Sequence, residues 1–207
     1  MNPVLWRLRF AGRRPEREAV RDFILARMPR GGVVGEIGVD LGDFSERILV
    51  INRPRELHLI DPWSKESGEY RQQMPAGAPA APGASPRQLE TTSRYGFVRE
   101  RFASDIAGRA VILHRAASAD AAATFADGQF DWIYIDGNHS YEFVKQDLEL
   151  YWPKLKAGGY IVCDDYHHAG FWADGVTRAV DEFVAGGRAR KIFKRRSQFV
   201  MRKPGRA

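Results

Sequence analysis

One cysteine, Cys163, stands in the whole chain of 207 residues. A single thiol excludes an intrachain disulfide and argues for a reducing compartment. Its place in the apolar run YIVC makes it a small core residue rather than a nucleophile. No stretch approaches the ~18 consecutive apolar residues of a membrane-spanning helix. The opening, MNPVLWRLRFAGRRPE, has too short an apolar part and too many arginines for a secretory signal. A cytoplasmic chain is expected, with an amphipathic, membrane-touching N-terminus as the alternative. No internal repeat is visible. No nucleic-acid-binding motif accompanies the formal net charge of +6. Much of that excess sits in Arg7 to Arg17 and in Lys191 to Lys203 (KIFKRRSQFVMRK), and it reads as a basic surface with no nucleic-acid partner. A nucleic-acid-binding protein using this tail is the rival from another class, although Phe193 and Phe199 form no RNA motif.

What is present is a globular pattern. Apolar residues make up 44% and aromatics 12%, enough for the core of one domain spanning residues 1–207. The five tryptophans read mostly as core or rim residues. Residues 1–30 read as an N-terminal helical segment, with a helix expected over Pro15 to Met28 that Gly31-Gly32 breaks. Strands are expected at Val33 to Val39, Leu57 to Ile60, Ala110 to His114, Phe130 to Ile135 and Tyr160 to Cys163. Helices are expected at Phe44 to Ile51, Tyr95 to Phe102, Ala117 to Phe125, Ser140 to about Trp152, and Val176 to Val184. Ala189 to Phe193 and Gln198 to Arg202 read as a closing strand pair. The fold class is α/β: a doubly wound, mostly parallel, Rossmann-like sheet of about seven strands with a C-terminal antiparallel hairpin. Residues 63–93 differ in composition and read as a lid or insertion. Its Pro/Ala/Gly-rich part, 74–87, is expected to hold no regular element.

The most informative segment is FDWIYIDGNHSYEFVKQDLELYWPKLKAGGYIVCDDY, Phe130 to Tyr166. One apolar run ends on Asp136 and the next on Asp164-Asp165, 28 positions later, the length of a strand–helix–strand unit. In a parallel sheet the three carboxylates meet at the carboxyl edge, where ligands bind. Three hard oxygen ligands suit Mg²⁺ or Mn²⁺. The alternative for these acids is helix capping and turn formation.

The same edge carries a cofactor signature. The run Gly35-Glu36-Ile37-Gly38-Val39-Asp40-Leu41-Gly42 fails the G-x-G-x-x-G spacing of a nicotinamide site. Gly38 and Gly42 still let the backbone approach a ligand at a helix N-terminus. Asp61 closes the second strand 25 residues after Glu36, where a carboxylate can accept both hydroxyls of a ribose. The segments EIGVDLGDFS, LIDPW, DWIYIDGNHSYE, LKAGGYIVCDDY and the closing hairpin resemble the class I S-adenosylmethionine-dependent methyltransferases. The nearer likeness is to the branch of macrolide and aminocoumarin sugar O-methyltransferases and cephalosporin hydroxylase-type proteins, over residues 33–203. The resemblance implies S-adenosylmethionine as cofactor. Glu36, Gly38, Gly42 and Ser45 would lie around its methionine part, Asp61 at the ribose, and Ala117 and Ser118 beside the adenine. Trp63 would wall or stack on that pocket, and Asp136 would border it.

The resemblance further implies Mg²⁺ held by Asp136, Asp164 and Asp165, activating a hydroxyl of a small-molecule acceptor such as a sugar. Some relatives look as if they place a carboxylate base two residues after the first metal acid. Asn138 stands there instead, which turns the base toward His167, with His139 second. A metal-independent enzyme acting on another acceptor atom is the alternative on the same scaffold. A homo-oligomer is compatible with this sequence.

Overall fold

A computed structural model of the chain describes residues 16–64, 86–168, 170 and 173–205. The parallel sheet begins with strand β1 (Val33–Ile37, VVGEI), buried along its whole length. Such a strand carries no polar alternation because both its faces are covered. Strand β2 (Glu56–Ile60) and strand β3 (Val111–His114) extend the sheet on one side, in parallel. On the other side lie strand β4 (Phe130–Ile135) and strand β5 (Leu155–Cys163), also parallel. Strands β6 (Arg190–Arg195) and β7 (Gln198–Arg202) form an antiparallel hairpin whose inner member, β7, pairs with β5. The sheet order is β3-β2-β1-β4-β5-β7-β6. The expected doubly wound sheet of about seven strands is therefore present.

Helices cover both faces. Helix α1 (Glu16–Leu25), helix α2 (Asp43–Asn52) and helix α3 (Pro86–Arg101) bury Ile24, Leu25, Phe44, Ile48 and Val98 against one side of the sheet. Helix α4 (Ala103–Ala107) is a short turn leading into β3. Helix α5 (Ser118–Ala122), helix α6 (Tyr141–Tyr151) and helix α7 (Gly175–Ala185) bury Ala121, Val144, Leu148, Val180 and Phe183 against the other side. No helix among the described residues is long and apolar enough to cross a membrane.

Several boundaries differ from the sequence reading, and three have a clear physical reason. Strand β5 starts at Leu155, not after Gly158-Gly159, because the glycine pair makes a bulge instead of ending the turn. Gly158 takes φ +81, and a side chain at Gly159 would meet the Asp131 carbonyl oxygen at 2.9 Å. The register accordingly shifts between Phe130 and Trp132. Helix α3 starts at Pro86, so it takes in the last two residues of the Pro/Ala/Gly-rich stretch. Proline is at home in a first helical turn, which made a poor stop signal of it. The rest of that stretch, like residues 1–15, lies outside the described residues. Strand β6 runs two residues past Phe193, and its basic side chains sit on the outer edge of the sheet. Charge there blocks pairing with another sheet.

Candidate functional site

The loops at the carboxyl ends of β1, β2 and β4 interlock through glycine and one carboxylate. Gly38 has φ +85, and a Cβ there would lie 2.1 Å from the Asp136 carbonyl oxygen. Only glycine admits that approach of the β1 and β4 loops. Gly42, φ +80, precedes α2, and a Cβ on it would strike the Phe102 ring at 2.6 Å. Asp61 Oδ2 accepts from the backbone N–H of Val39 at 2.9 Å and of Asp40 at 3.1 Å. Its Oδ1 accepts from Trp63 N at 2.6 Å. Asp61 therefore joins the end of β2 to the glycine loop after β1, a position from which it can also face a bound ribose.

Glu36, at the end of β1, is 1% exposed. Burial pushes its carboxyl up to about 8, against the pull of the hydrogen bond from Ser45. That bond, Ser45 Oγ to Glu36 Oε2, is 2.6 Å. The pair is brought together because β1 feeds directly into α2. Trp63 is buried, with φ +46, and donates from Nε1 to the Asp40 carbonyl at 2.9 Å. Its ring meets Tyr95 edge-on at 5.1 Å, so it is a floor to this loop cluster. Ala117 is exposed just before α5. The Ser118 hydroxyl turns to Asp147 Oδ1 at 2.5 Å, and its carbonyl accepts from Tyr151 at 2.8 Å. Its side chain thus ties α5 to α6, leaving the backbone of the Ala117–Ser118 turn at the sheet edge.

The three acids of the second motif gather at the neighbouring strand ends. Asp136 follows β4, and Asp164 and Asp165 follow β5. Asp164 is fully buried at its side chain and accepts from Asp165 N at 2.8 Å. Gln198 Nε2, on β7, also bonds Asp164, and Tyr134 in turn donates to Gln198 Oε1 at 3.0 Å. Asp165 takes φ +54, an unusual backbone state for a residue with a side chain. His139 sits between two of the acids, Nε2 at 3.3 Å from Asp136 and Nδ1 at 3.3 Å from Asp165. Burial lowers the imidazole pKa, but the flanking carboxylates outweigh it, and the net direction is up.

Two arginines of α1 complete the cluster, and the sequence reading missed both. Arg21 Nη2 bonds Asp136 and Asp164 at once. Arg17 donates to Asp164 at 2.8 Å. Burial opposes ionisation of Asp164, but the Arg21 and Arg17 guanidinium groups prevail and hold its carboxyl well below the usual range. The readable signal was the spacing: Arg17 and Arg21 lie four apart, on one face of an amphipathic helix.

This arrangement corrects the expected metal centre. The oxygens of Asp136 and Asp164 that a divalent ion would bridge both point at one guanidinium nitrogen. Three carboxylates are already met by Arg17, Arg21 and His139. Among the described residues no group of three or more His, Cys, Asp or Glu side chains has metal-holding geometry. As arranged, the donor set does not fit Mg²⁺.

The histidines separate as well. His167, the first choice for a base, is not brought to the acids. It is exposed, stacks on Tyr166 with ring centres 4.2 Å apart, and its Nδ1 lies 3.0 Å from Lys194 Nζ. The left-handed turn at Asp165 and His167 swings it outward. His168 instead lines a cavity of about 270 Å³ with Arg17, Val20, Asp165 and Gln198. His139 is the histidine that shares the cluster with Asp136 and Asp165.

The family model of the methyltransferase domain matches residues 36–166 of the chain. A protein of Acanthamoeba polyphaga mimivirus is 43% identical over 61 residues, 30% of this chain and 27% of its own length. The chain thus spans well under half of that curated relative. The S-adenosylhomocysteine-bound methyltransferase PaMTH1 of Podospora anserina superposes with a TM-score of 0.58 at 17% identity, over 92% of this chain and 78% of that one. The TDP-rhamnose 3'-O-methyltransferase CalS11 of calicheamicin biosynthesis superposes with a TM-score of 0.59 at 18% identity, over 91% and 81%.

Proposed function

Because the chain belongs to the family of class I S-adenosylmethionine-dependent methyltransferases, with its methyltransferase domain at residues 36–166, we propose that it methylates a hydroxyl oxygen of a small, polyhydroxylated molecule such as a sugar. The observation that carries this reading is His139, seated between Asp136 and Asp165. A hydroxyl acceptor must lose a proton as it attacks, and an imidazole backed by carboxylates is suited to take it. The cofactor supplies an electrophilic methyl group on a positively charged sulfur. Glu36, Gly38, Gly42 and Ser45 face its amino-acid part in this reading, and Asp61 its ribose. The Ala117–Ser118 turn borders the base.

The acceptor binds on the α1 side, in the cavity lined by Arg17, Asp165 and His168. Its volume suits a small-molecule group at the lower end of ordinary ligand sites. The side chains there are mostly polar, in keeping with a hydroxyl-rich ligand. His139 accepts the proton at the ring nitrogen that the acceptor hydroxyl reaches in place of one carboxylate, and the carboxylate on its other nitrogen stabilises the imidazolium that results. Burial of the neighbouring Asp164 and its fixed partners keeps the group in one geometry. The solved structure that acts on a TDP-sugar has the same fold, which supports the sugar reading by analogy alone.

The test is calorimetry with S-adenosylhomocysteine, followed by transfer of labelled methyl from S-adenosylmethionine to a panel of hydroxyl, amine and nucleic-acid acceptors. Hydroxyl methylation, lost in His139→Ala with cofactor affinity kept, is the expected result. Methylation confined to amines or RNA would overturn the acceptor assignment.

A further inference from the structure

The acid cluster holds a cation of its own. Arg21 is delivered by α1 into the space between the ends of β4 and β5, with its side chain 14% exposed. Its Nη2 is shared by Asp136 and Asp164. Its guanidinium also stacks over two aromatic rings, 4.9 Å from the centre of Phe44 and 5.6 Å from that of Tyr134. Those rings are themselves packed, with centres 4.1 Å apart. A hydrated divalent ion gains little from two aromatic faces, whereas a planar guanidinium uses both.

The helix that brings Arg21 is fixed from behind. Arg47 of α2, nearly buried, reaches Asp22 at 3.0 Å and Glu18 at 3.0 Å. Thus α1 presents adjacent charged stripes: Glu18 and Asp22 to α2, Arg17 and Arg21 to the acids. Arg21 Nε, buried, has no acceptor among the described residues. Adding a dication without moving these groups would leave the cluster with excess positive charge in a buried place.

We propose that Arg21 is the resident cation of this site: its guanidinium takes the position between Asp136 and Asp164 that a divalent ion would fill, so the acceptor side works without a metal. Arg21 is then a positioning residue that holds the two carboxylates, one of which orients His139. This rests on the proposed acceptor-side role of the cluster, but the metal titration that tests it does not. Removing the guanidinium leaves two carboxylates facing one vacant cation position. That position should then take a metal.

The experiment titrates Mn²⁺ into the cofactor-free protein and follows it by electron paramagnetic resonance, for wild type, Arg21→Ala, Arg21→Lys and Arg21→Ala with Asp164→Asn. Wild type and Arg21→Lys should bind no Mn²⁺ at the cluster. Arg21→Ala should gain one site, and the double variant should lose it. On a hydroxyl acceptor, wild-type turnover should be indifferent to chelator, and Arg21→Ala should recover at least tenfold with Mn²⁺. One tight Mn²⁺ site in wild type that Asp164→Asn removes would overturn the proposal, and so would abolition of turnover by chelator. A folded Arg21→Ala that binds no Mn²⁺ would overturn it too. Should Arg21→Ala fail to fold, the wild-type arms decide alone. Calorimetry of S-adenosylhomocysteine on the same samples separates failure of the methyltransferase site from failure of this assignment.

Discussion

Replacing Glu36 by glutamine should stabilise the protein while impairing its cofactor site. In the fold, burial pushes the Glu36 carboxyl from 4.5 up to about 8. The unfolded chain titrates near the ordinary value. Between those two values the native state holds a proton that the unfolded state has lost. Stability therefore falls as pH rises through that window, and the full loss is reached above the upper value. At pH 7 the two states differ by about 2.5 pH units of titration at about 1.4 kcal/mol each, or roughly 3–4 kcal/mol. At pH 5 the same reckoning gives about 1 kcal/mol. Glutamine has no such equilibrium, has the same size, and offers an amide oxygen to the Ser45 hydroxyl, which lies at 2.6 Å in the parent. Urea unfolding of both proteins at pH 5, 6 and 7 measures the effect. The variant should gain most at pH 7 and little at pH 5, and it should bind S-adenosylhomocysteine at least tenfold more weakly. Identical pH slopes for the two proteins would refute the reasoning.

His139 carries a pKa above its ordinary 6.5, through the carboxylates that outweigh its burial. As a proton acceptor it must be neutral, so turnover should rise with pH through that elevated value, and His139→Gln should erase the limb from the pH–rate profile. Asp61→Ala removes the acceptor of three backbone N–H groups at 2.6–3.1 Å. It should cost about 1–3 kcal/mol of stability in urea unfolding and weaken S-adenosylhomocysteine binding in calorimetry. Gly38→Ala combines a φ of +85 with a contact of 2.1 Å to the Asp136 carbonyl. It should lose at least about 3 kcal/mol or fail to accumulate folded, as circular dichroism would show.

The parallel core was legible because its strands are continuous apolar runs ending in acids and glycines. Strand β4, Phe130–Ile135, coincides with its sequence reading. The places of Glu36, Gly38 and Asp61 in the fold were legible for the same reason: each lies at a strand end or in a glycine turn, and local order fixes where such a residue emerges. What local pattern could not carry was long-range pairing. Arg17 and Arg21 look like ordinary solvated charges until α1 is docked across residues 136 and 164. Gln198 is a polar residue in a hairpin until β7 lies beside β5 and brings it to Asp164. His167 and His168 are adjacent in sequence, and only the left-handed turn at Asp165 and His167 decides which one meets the cavity.

The docking of α1 has a consequence for how the protein is made. Arg17 and the carboxylate it meets are 147 residues apart, and Glu16 and Arg196 are 180 apart. On the ribosome, α1 emerges well before β5, β7 and the turn before β7. Through most of synthesis its two arginines have no carboxylates to meet, and its apolar face has no finished sheet to cover. Such distant contacts form late, because the loop they close is long. The nascent chain can bury strands β1 to β4 in sequence, but the charged edge between α1, β4 and β5 is assembled only once the β6–β7 hairpin has emerged.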